Sequence, residues 1–351
     1  MEYIKGRGAQ INTPNRFHEN RTILGDVEAL DELPNHSIAT KVRMEYPKSI
    51  VNKVDSPDTH MVYSMNPYQG CEHGCIYCYA RNTHNYYGLS AGLDFEQQIF
   101  AKPDAPLLLK KFLNKKSYRS KVISLSGNTD CYQPIESKLR ITRSLLETLL
   151  EYRNPVSIIT KNELILRDIE ILKQLAEMNL VQVMISLTTL NDALRRKMEP
   201  RTSTGVNRLK IVEKLSENGI PVGVMTAPLI PGLNTEEIPA LIKAAAEHGA
   251  KSAGYIIARL NGDVREIFHD WLNKNFPDRA DKVWHQLQSC HGGTVSDHRV
   301  GKRMKGEGSI ASAIQQLHRI SVKKYLSDRS MPEYSYNFFR RPNSNSQLEL
   351  F

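Results

Sequence analysis

The stretch PVSIITKNELILRDIEILKQLAEMNLVQVMISL (155–187) holds two short apolar runs, PVSIIT and VQVMISL, on either side of ELILRDIEILKQLAEM (163–178). The apolar residues of the middle segment recur at helical spacing, whereas the flanking runs are apolar at nearly every position. Such runs read as strands buried on both faces, and a helix joining two of them is the crossover of parallel strands. The rhythm extends in both directions. Upstream, VISLSG (122–127) reads as a strand followed by a helix over about 137–151. Downstream, a helix over about 205–218 leads to PVGVMTAPLI (221–230), and a helix near 236–248 leads to SAGYIIARL (252–260).

Six strand–helix units fit between residues 61 and 275, which is too little chain for eight. The pattern predicts an α/β protein built on a partial (β/α)6 TIM-like barrel, with a doubly wound open sheet as the alternative. No Gly-rich dinucleotide loop follows the first strand. In either architecture the chemistry belongs at the carboxyl ends of the strands. Around the barrel (61–277) the chain divides into a polar N-terminal extension (1–60), a basic loop and helix (278–339) and a flexible tail (340–351).

The 351 residues carry a net charge of +9, with 40% hydrophobic and 24% charged residues, as in an ordinary globular protein. A basic surplus suits polyanionic partners, although it also suits a merely soluble surface. No apolar run approaches the roughly 18 residues a membrane span needs. The opening MEYIKGRGAQINTPNRFHENR lacks the apolar core of a secretory signal, so a cytoplasmic protein is expected. Five cysteines in so long a chain do not suggest a disulfide framework, and three of them fall within eight residues.

Those three lie in NPYQGCEHGCIYCYAR (66–81), where Cys71, Cys75 and Cys78 follow the spacing Cys-x3-Cys-x2-Cys, just beyond the first strand. Thiolates bind soft metals and iron–sulfur clusters. Three in one loop can hold three corners of a cubic iron–sulfur cluster and leave one iron open, while Gly70 and Gly74 would let the backbone pass close to the sulfides. Structural zinc usually takes four ligands. No second Cys-x2-Cys exists, and His73, inside the loop, would strain a tetrahedron.

This loop at the head of a (β/α)6 pattern resembles the signature of the radical S-adenosylmethionine (SAM) superfamily over about residues 61–260. The resemblance implies a [4Fe–4S] cluster, SAM chelated at its open iron, an external reductant such as flavodoxin or ferredoxin, and a 5′-deoxyadenosyl radical that abstracts hydrogen. Within the superfamily the chain resembles the spore photoproduct lyase group and a related branch, through Tyr77 and Tyr79 around Cys78 and through SGNTDCYQPIE (126–136). That likeness implies SAM contacts from Tyr77, Thr129, Asp130, Lys161 and Ser186. Asp130 would meet the sulfonium or amine, Lys161 the carboxylate and Ser186 a ribose hydroxyl. It also implies a radical relay through Tyr79. Each position falls at the end of an expected strand. The bland readings are that the tyrosines pack over the cluster, that Asp130 and Lys161 form a structural pair, and that Ser186 bonds backbone. One departure stands out: the lyase group has a hydrogen-donating cysteine three residues before its aspartate, where this chain has Gly127. Cys131 is the candidate donor in its place, or else a small buried hydrophobe; Cys290 is a weaker candidate.

For the substrate, residues 278–308 combine His285, His291, His298, Arg299, Lys302, Arg303 and Lys305 with glycines in a loop able to track phosphates. The helix over about 309–327 adds His318, Arg319, Lys323 and Lys324. The chain ends in Gln347-Leu348-Glu349-Leu350-Phe351, which resembles the motif by which bacterial polymerases and repair proteins dock on the DNA sliding clamp. The leading expectation is a radical SAM lyase or modifying enzyme acting on nucleic acid, in DNA repair or base modification. The alternatives are the same chemistry on a protein or small molecule, and a non-catalytic zinc-binding adaptor.

Overall fold

The computed structural model of the chain describes residues 3–15, 17, 40–59 and 61–342, and its centre is a seven-stranded sheet. In chain order the strands are β1 (Lys41–Met44), β2 (Val51–Lys53), β3 (Tyr63–Met65), β4 (Tyr68–Gln69), β5 (Gln98–Ala101), β6 (Ile123–Leu125), β7 (Val156–Thr160), β8 (Val181–Ser186), β9 (Val222–Leu229) and β10 (Ala253–Ile257). The large sheet runs β10-β9-β8-β7-β6-β3-β2. From β3 to β10 every neighbour pairs in parallel, and only β2 joins antiparallel, at the edge. A doubly wound sheet reverses its strand order at a switch point. This sheet keeps the order of the chain throughout, so the six units form the partial barrel.

The helices are α1 (Leu93–Gln97), α2 (Ala105–Leu113), α3 (Glu136–Leu139), α4 (Ile141–Tyr152), α5 (Ile169–Glu177), α6 (Asp192–Met198), α7 (Gly205–Glu217), α8 (Ile238–Glu247), α9 (Val264–Asn275), α10 (Ala280–Cys290) and α11 (Gly308–Tyr325). Helical spacing puts Leu145 and Leu149 of α4, and Leu172 and Leu175 of α5, in the core formed with Ile158, Val183 and Val224 of the strands. Each such side chain contributes about 1.5–3 kcal/mol on burial. Two boundaries differ from the sequence expectation. Arg140 takes a left-handed conformation (φ 53°) and splits the helix over 137–151 into α3 and α4. The segment from 163 begins as a 3-10 turn, Glu163–Asp168, capped by the Asn162 side chain, before α5 starts. Helices α1, α2, α6 and α9 were not anticipated.

The basic segment 278–308 is not one loop. Its first part is α10, because Ala280, Val283, Leu287 and Cys290 recur at three- and four-residue spacing on one buried face. The glycine-rich loop proper is 291–307. His318 on α11 likewise faces inward, its ring 4.5 Å from that of Tyr255, and burial with Lys305 nearby depresses its pKa to about 4. It is a core residue rather than part of a phosphate-facing surface.

Two further contacts complete the barrel. The loop after β10 docks on the 3-10 helix Tyr79–Tyr87 that follows the cysteine loop: Asn82 Nδ2 donates to the Asn261 carbonyl (2.8 Å) and Asp263 N to Asn82 Oδ1 (3.0 Å). The rim therefore joins the first and last units. At the opposite end, residues 332–341 cross the amino ends of the strands. Gln182 donates to the Pro332 carbonyl (2.7 Å), Ser335 N to Asn179 (3.0 Å) and Arg340 N to Tyr152 (3.0 Å), while Arg341 reaches the carbonyls of Lys115 and Tyr118, both at 3.1 Å. The clamp-like residues 347–351 lie outside the described residues. No helix among the described residues is long and apolar enough to cross a membrane.

Candidate functional site

The cysteine loop leaves a second, small sheet, ordered β1-β5-β4, in which β4 ends at Gln69 immediately before the loop. Cys71 and Cys75 are buried, Cys78 is half-buried, and all three thiols are free. The loop is held from four sides. Arg81, fully buried, donates from Nε to the Cys75 carbonyl (2.9 Å) and pairs with Glu96 (2.5 Å). Glu96 in turn accepts from Gly8 N (3.0 Å) and Ala9 N (2.8 Å), so the N-terminal residues 7–10 lie directly on the loop. The approach is so close that a Cβ on Gly8 would stand 1.7 Å from the Gly74 carbonyl oxygen. From β6's side, Gln133 accepts from Glu72 N (3.0 Å) and donates to the Gly70 carbonyl (3.1 Å). From the end of α6, the Met198 carbonyl accepts from Ile76 N (3.0 Å). The loop geometry is thus fixed by groups other than the thiols.

The structure gathers the other sequence-predicted residues around this loop in different ways. Asp130 is largely covered, and its carboxylate is engaged by the chain: Thr160 Oγ1 (2.7 Å), Lys161 N (2.8 Å), Tyr132 N (2.9 Å) and His73 Nδ1 (3.4 Å). Burial works against its charge, but His73 and these donors hold its pKa down at about 2. Burial works against the Lys161 charge, but Cys75 in its thiolate form and Glu199 hold its ammonium above the ordinary lysine value. It makes no ion pair within the described residues. Tyr77 donates its hydroxyl to Glu199. Thr129 is buried with its hydroxyl 3.4 Å from the Tyr68 carbonyl. Ser186 is buried at the end of β8, where its carbonyl accepts from Arg208 (2.9 Å).

Tyr79 stands on the rim, more than half exposed, with its hydroxyl on the Gly127 carbonyl. The neighbouring Ser126 holds a left-handed backbone (φ 77°), an uncommon conformation for serine, and its hydroxyl caps Cys131 N at 3.0 Å. Cys131 itself is fully buried in the main core, and burial pushes its thiol pKa well up. Cys290 is buried in the cluster between α8, α10 and α11, away from the cysteine loop.

Sequence reasoning missed Glu199. This fully buried carboxylate pairs with Arg208 and accepts from Tyr77 and from Thr188 Oγ1 (2.9 Å). Burial opposes its charge, yet Arg208 and Lys161 hold its pKa down at about 2. It also missed that SGNTDCYQPIE splints the cysteine loop through Gln133, and that Glu136, bound by Tyr68 and Arg167, anchors that splint.

The thiol loop fits an iron–sulfur cluster. Burial raises the pKa of Cys75 and Cys78, so these thiols become thiolates only when a cation takes the proton's place. Among the described residues no three His, Cys, Asp or Glu side chains converge on a single metal ion. A cubic cluster makes no such demand, because each thiolate binds its own iron.

The family model described as the radical SAM superfamily matches residues 65–245. An uncharacterised protein of Mycobacterium tuberculosis is 32% identical over 234 residues, 66% of this chain and 69% of that protein. An uncharacterised protein of Methanocaldococcus jannaschii is 29% identical over 217 residues, 62% and 77% of the two chains. Among solved structures, spore photoproduct lyase complexed with dinucleoside spore photoproduct aligns with a TM-score of 0.58 at 16% identity, over 81% of this chain and 79% of that one. A variant of that enzyme with bound AdoMet and dinucleoside spore photoproduct gives 0.59 at 15% identity, over 84% and 82%. At such identity the likeness is one of fold.

Proposed function

The chain belongs to the radical SAM superfamily, and from that premise we propose that Cys71, Cys75 and Cys78 hold a [4Fe–4S] cluster that binds SAM, for radical chemistry on nucleic acid. The observation that carries the reading is a loop of three free thiols fixed at the carboxyl end of β3 by backbone and side-chain bonds that leave the sulfurs unused. When bound, the cluster and SAM supply a 5′-deoxyadenosyl radical able to abstract a hydrogen atom.

The chain's own residues have distinct tasks in this scheme. Lys161, a half-buried cation beside Cys75 without an ion-pair partner among the described residues, binds the carboxylate of SAM. Asp130, with its oxygens already engaged, is a positioning residue that ties the end of β6 to the end of β7. Tyr77 is aimed by Glu199 and excludes water from one side of the cluster. Ser186 offers a hydroxyl at the end of β8, and Tyr79 connects the loop to Gly127 at the rim. Cys131 acts as a core hydrophobe rather than a hydrogen donor, since its thiol is sealed among apolar side chains. Support for nucleic acid comes from the net charge of +9 and from the fold likeness to an enzyme complexed with dinucleoside spore photoproduct. An external flavodoxin or ferredoxin serves as reductant. Residues Gln347, Leu348, Leu350 and Phe351 dock a sliding clamp; the described chain ends at Pro342, beyond Arg341 at the amino ends of the strands and across the barrel from the cysteine loop.

The test is anaerobic reconstitution with iron and sulfide, reduction by dithionite with SAM, and assay of 5′-deoxyadenosine. Its formation, dependent on each loop cysteine and stimulated by oligonucleotide, is the expected result. An intact cluster that never cleaves SAM, with or without nucleic acid, would overturn the reading. Removal of Gln347–Phe351 is expected to abolish clamp binding and to spare SAM cleavage.

A further inference from the structure

At the rim, two residues past β10, Arg259 sits half-buried beside Tyr79 and Arg303. The cations around it are neutralised within the fold. Arg303 pairs with Asp58 and donates to Ser56 Oγ (2.8 Å), Arg299 pairs with Asp297 (2.8 Å), and Lys302 pairs with Glu307 (2.7 Å). Arg259 alone of this group makes no ion pair with a described residue. Its one side-chain hydrogen bond to a described residue is a long one, 3.4 Å to the Asp297 carbonyl. Burial, and then the like charge of Arg303, work against its guanidinium and lower its pKa. The carboxylates that act on it, Asp58 and Asp297, are already paired with Arg303 and Arg299. A half-buried cation beside another cation, without a carboxylate of its own, is costly unless an anion arrives with the ligand. Its surroundings suit such an anion: Ser296 and His298 stand together on the adjoining loop, with Ser296 Oγ bound to Asn261 Oδ1 (3.0 Å), and the Tyr79 ring is exposed for stacking.

We propose that Arg259 is a substrate-anchoring residue that seats one phosphodiester of a nucleic-acid substrate at the barrel mouth. The proposal rests on the nucleic-acid reading above and adds to it the residue that recognises the backbone. The loop after β10 is pinned to the helix that follows the cysteine loop through Asn82, so a phosphate held at Arg259 is placed at a fixed distance from Tyr79 and Cys78. Guanidinium and phosphate match in a bidentate fork, which an ammonium cannot reproduce.

The experiment measures binding of a short single-stranded oligothymidylate to the reconstituted full chain across a salt series, for wild type, Arg259→Gln, Arg259→Lys and Lys302→Gln. SAM affinity is measured in parallel. We expect Arg259→Gln to lose about tenfold in oligonucleotide affinity at low salt, and the slope of log affinity against log salt to fall by about one. Arg259→Lys should regain the slope with weaker affinity, which also separates charge loss from misfolding. Lys302→Gln should match wild type. Wild-type binding with an unchanged Arg259→Gln slope would overturn the assignment and leave the nucleic-acid reading standing. Loss of SAM affinity with oligonucleotide affinity intact would place Arg259 on the cofactor's carboxylate and also overturn it. A wild type that binds no oligonucleotide at any salt would overturn both.

Discussion

The cysteine loop (66–81), which leaves the carboxyl end of β3, and the glycine-rich loop (291–307), which joins α10 to α11, are both polar, glycine-bearing segments, and the fold uses them in opposite ways. In the first, backbone atoms and neighbouring side chains are bonded so completely that the thiols and the Lys161 ammonium remain available. In the second, most charges meet one another: Asp297 binds Arg299 and His291, Glu307 binds Arg299 and Lys302, and Asp58 binds Arg303 and Gly301 N, while Lys305 lies over the Tyr255 ring. A site needs groups with chemistry left over. Charge that is paired inside the protein stabilises a loop and has little left for a ligand.

That contrast can be broken most severely at the thiols. Cys75→Ala is expected to abolish cluster assembly, read as iron and sulfide content, and to lower SAM cleavage beyond the roughly 10- to 100-fold typical of outer-sphere changes. Full cluster absorbance in this variant would remove the basis of the comparison. Next comes Glu199→Gln, which leaves the buried Arg208 without its counter-charge. A loss of about 3–5 kcal/mol is expected in denaturant unfolding. The variant should also flatten the acid limb of stability. Glu199 has its folded pKa depressed from an ordinary 4.5 to about 2, so its contribution is present above about pH 4.5 and lost as pH falls toward 2. A wild-type acid limb unchanged in the variant would contradict this network.

Gly8→Ala probes the strap over the cysteine loop with a smaller expected effect. The added methyl cannot stand 1.7 Å from the Gly74 oxygen, so residues 7–10 must lift. The chain should still fold, at a cost of about 1–3 kcal/mol, and the reconstituted cluster should bleach severalfold faster in air than in wild type. Equal bleaching rates would show that the strap plays no shielding part. The smallest effect is expected for Lys302→Gln in the second loop, where melting temperature and oligonucleotide affinity should match wild type. A clear drop in affinity there would mean that the Lys302–Glu307 pair opens to bind phosphate, and the two loops would then be alike.

The same contrast shows where reading from sequence succeeds. Cys71, Cys75 and Cys78 were legible because their spacing is local: residues three and four apart in one loop stay together whatever the rest of the chain does. The six parallel strands were legible because burial on both faces leaves continuous apolar runs, as in PVSIIT and VQVMISL. Glu199 was not legible. It follows α6 in an unremarkable Met-Glu-Pro-Arg run, and only folding brings Tyr77, 122 residues away in sequence, to its side. The segment SGNTDCYQPIE was noticed for Asp130, whereas Gln133 and Glu136 do the holding. The basic stretch 278–308 misled for a related reason. Composition counts charges but cannot count their partners, and it hid the apolar spacing of α10.

By itself the sequence determined the alternation of strands and helices, the end of the barrel that carries the cysteine loop, and the trio of thiols. These follow from local periodicity and from spacing within one loop, which act over a few residues. Tertiary structure alone decided which charges remain available: Arg299, Lys302 and Arg303 are cancelled, Asp130 is turned inward, and Arg259 and Lys161 are left without ion-pair partners among the described residues. Availability depends on distances between groups far apart in the chain and on the water that burial removes, and neither is fixed until the strands are side by side.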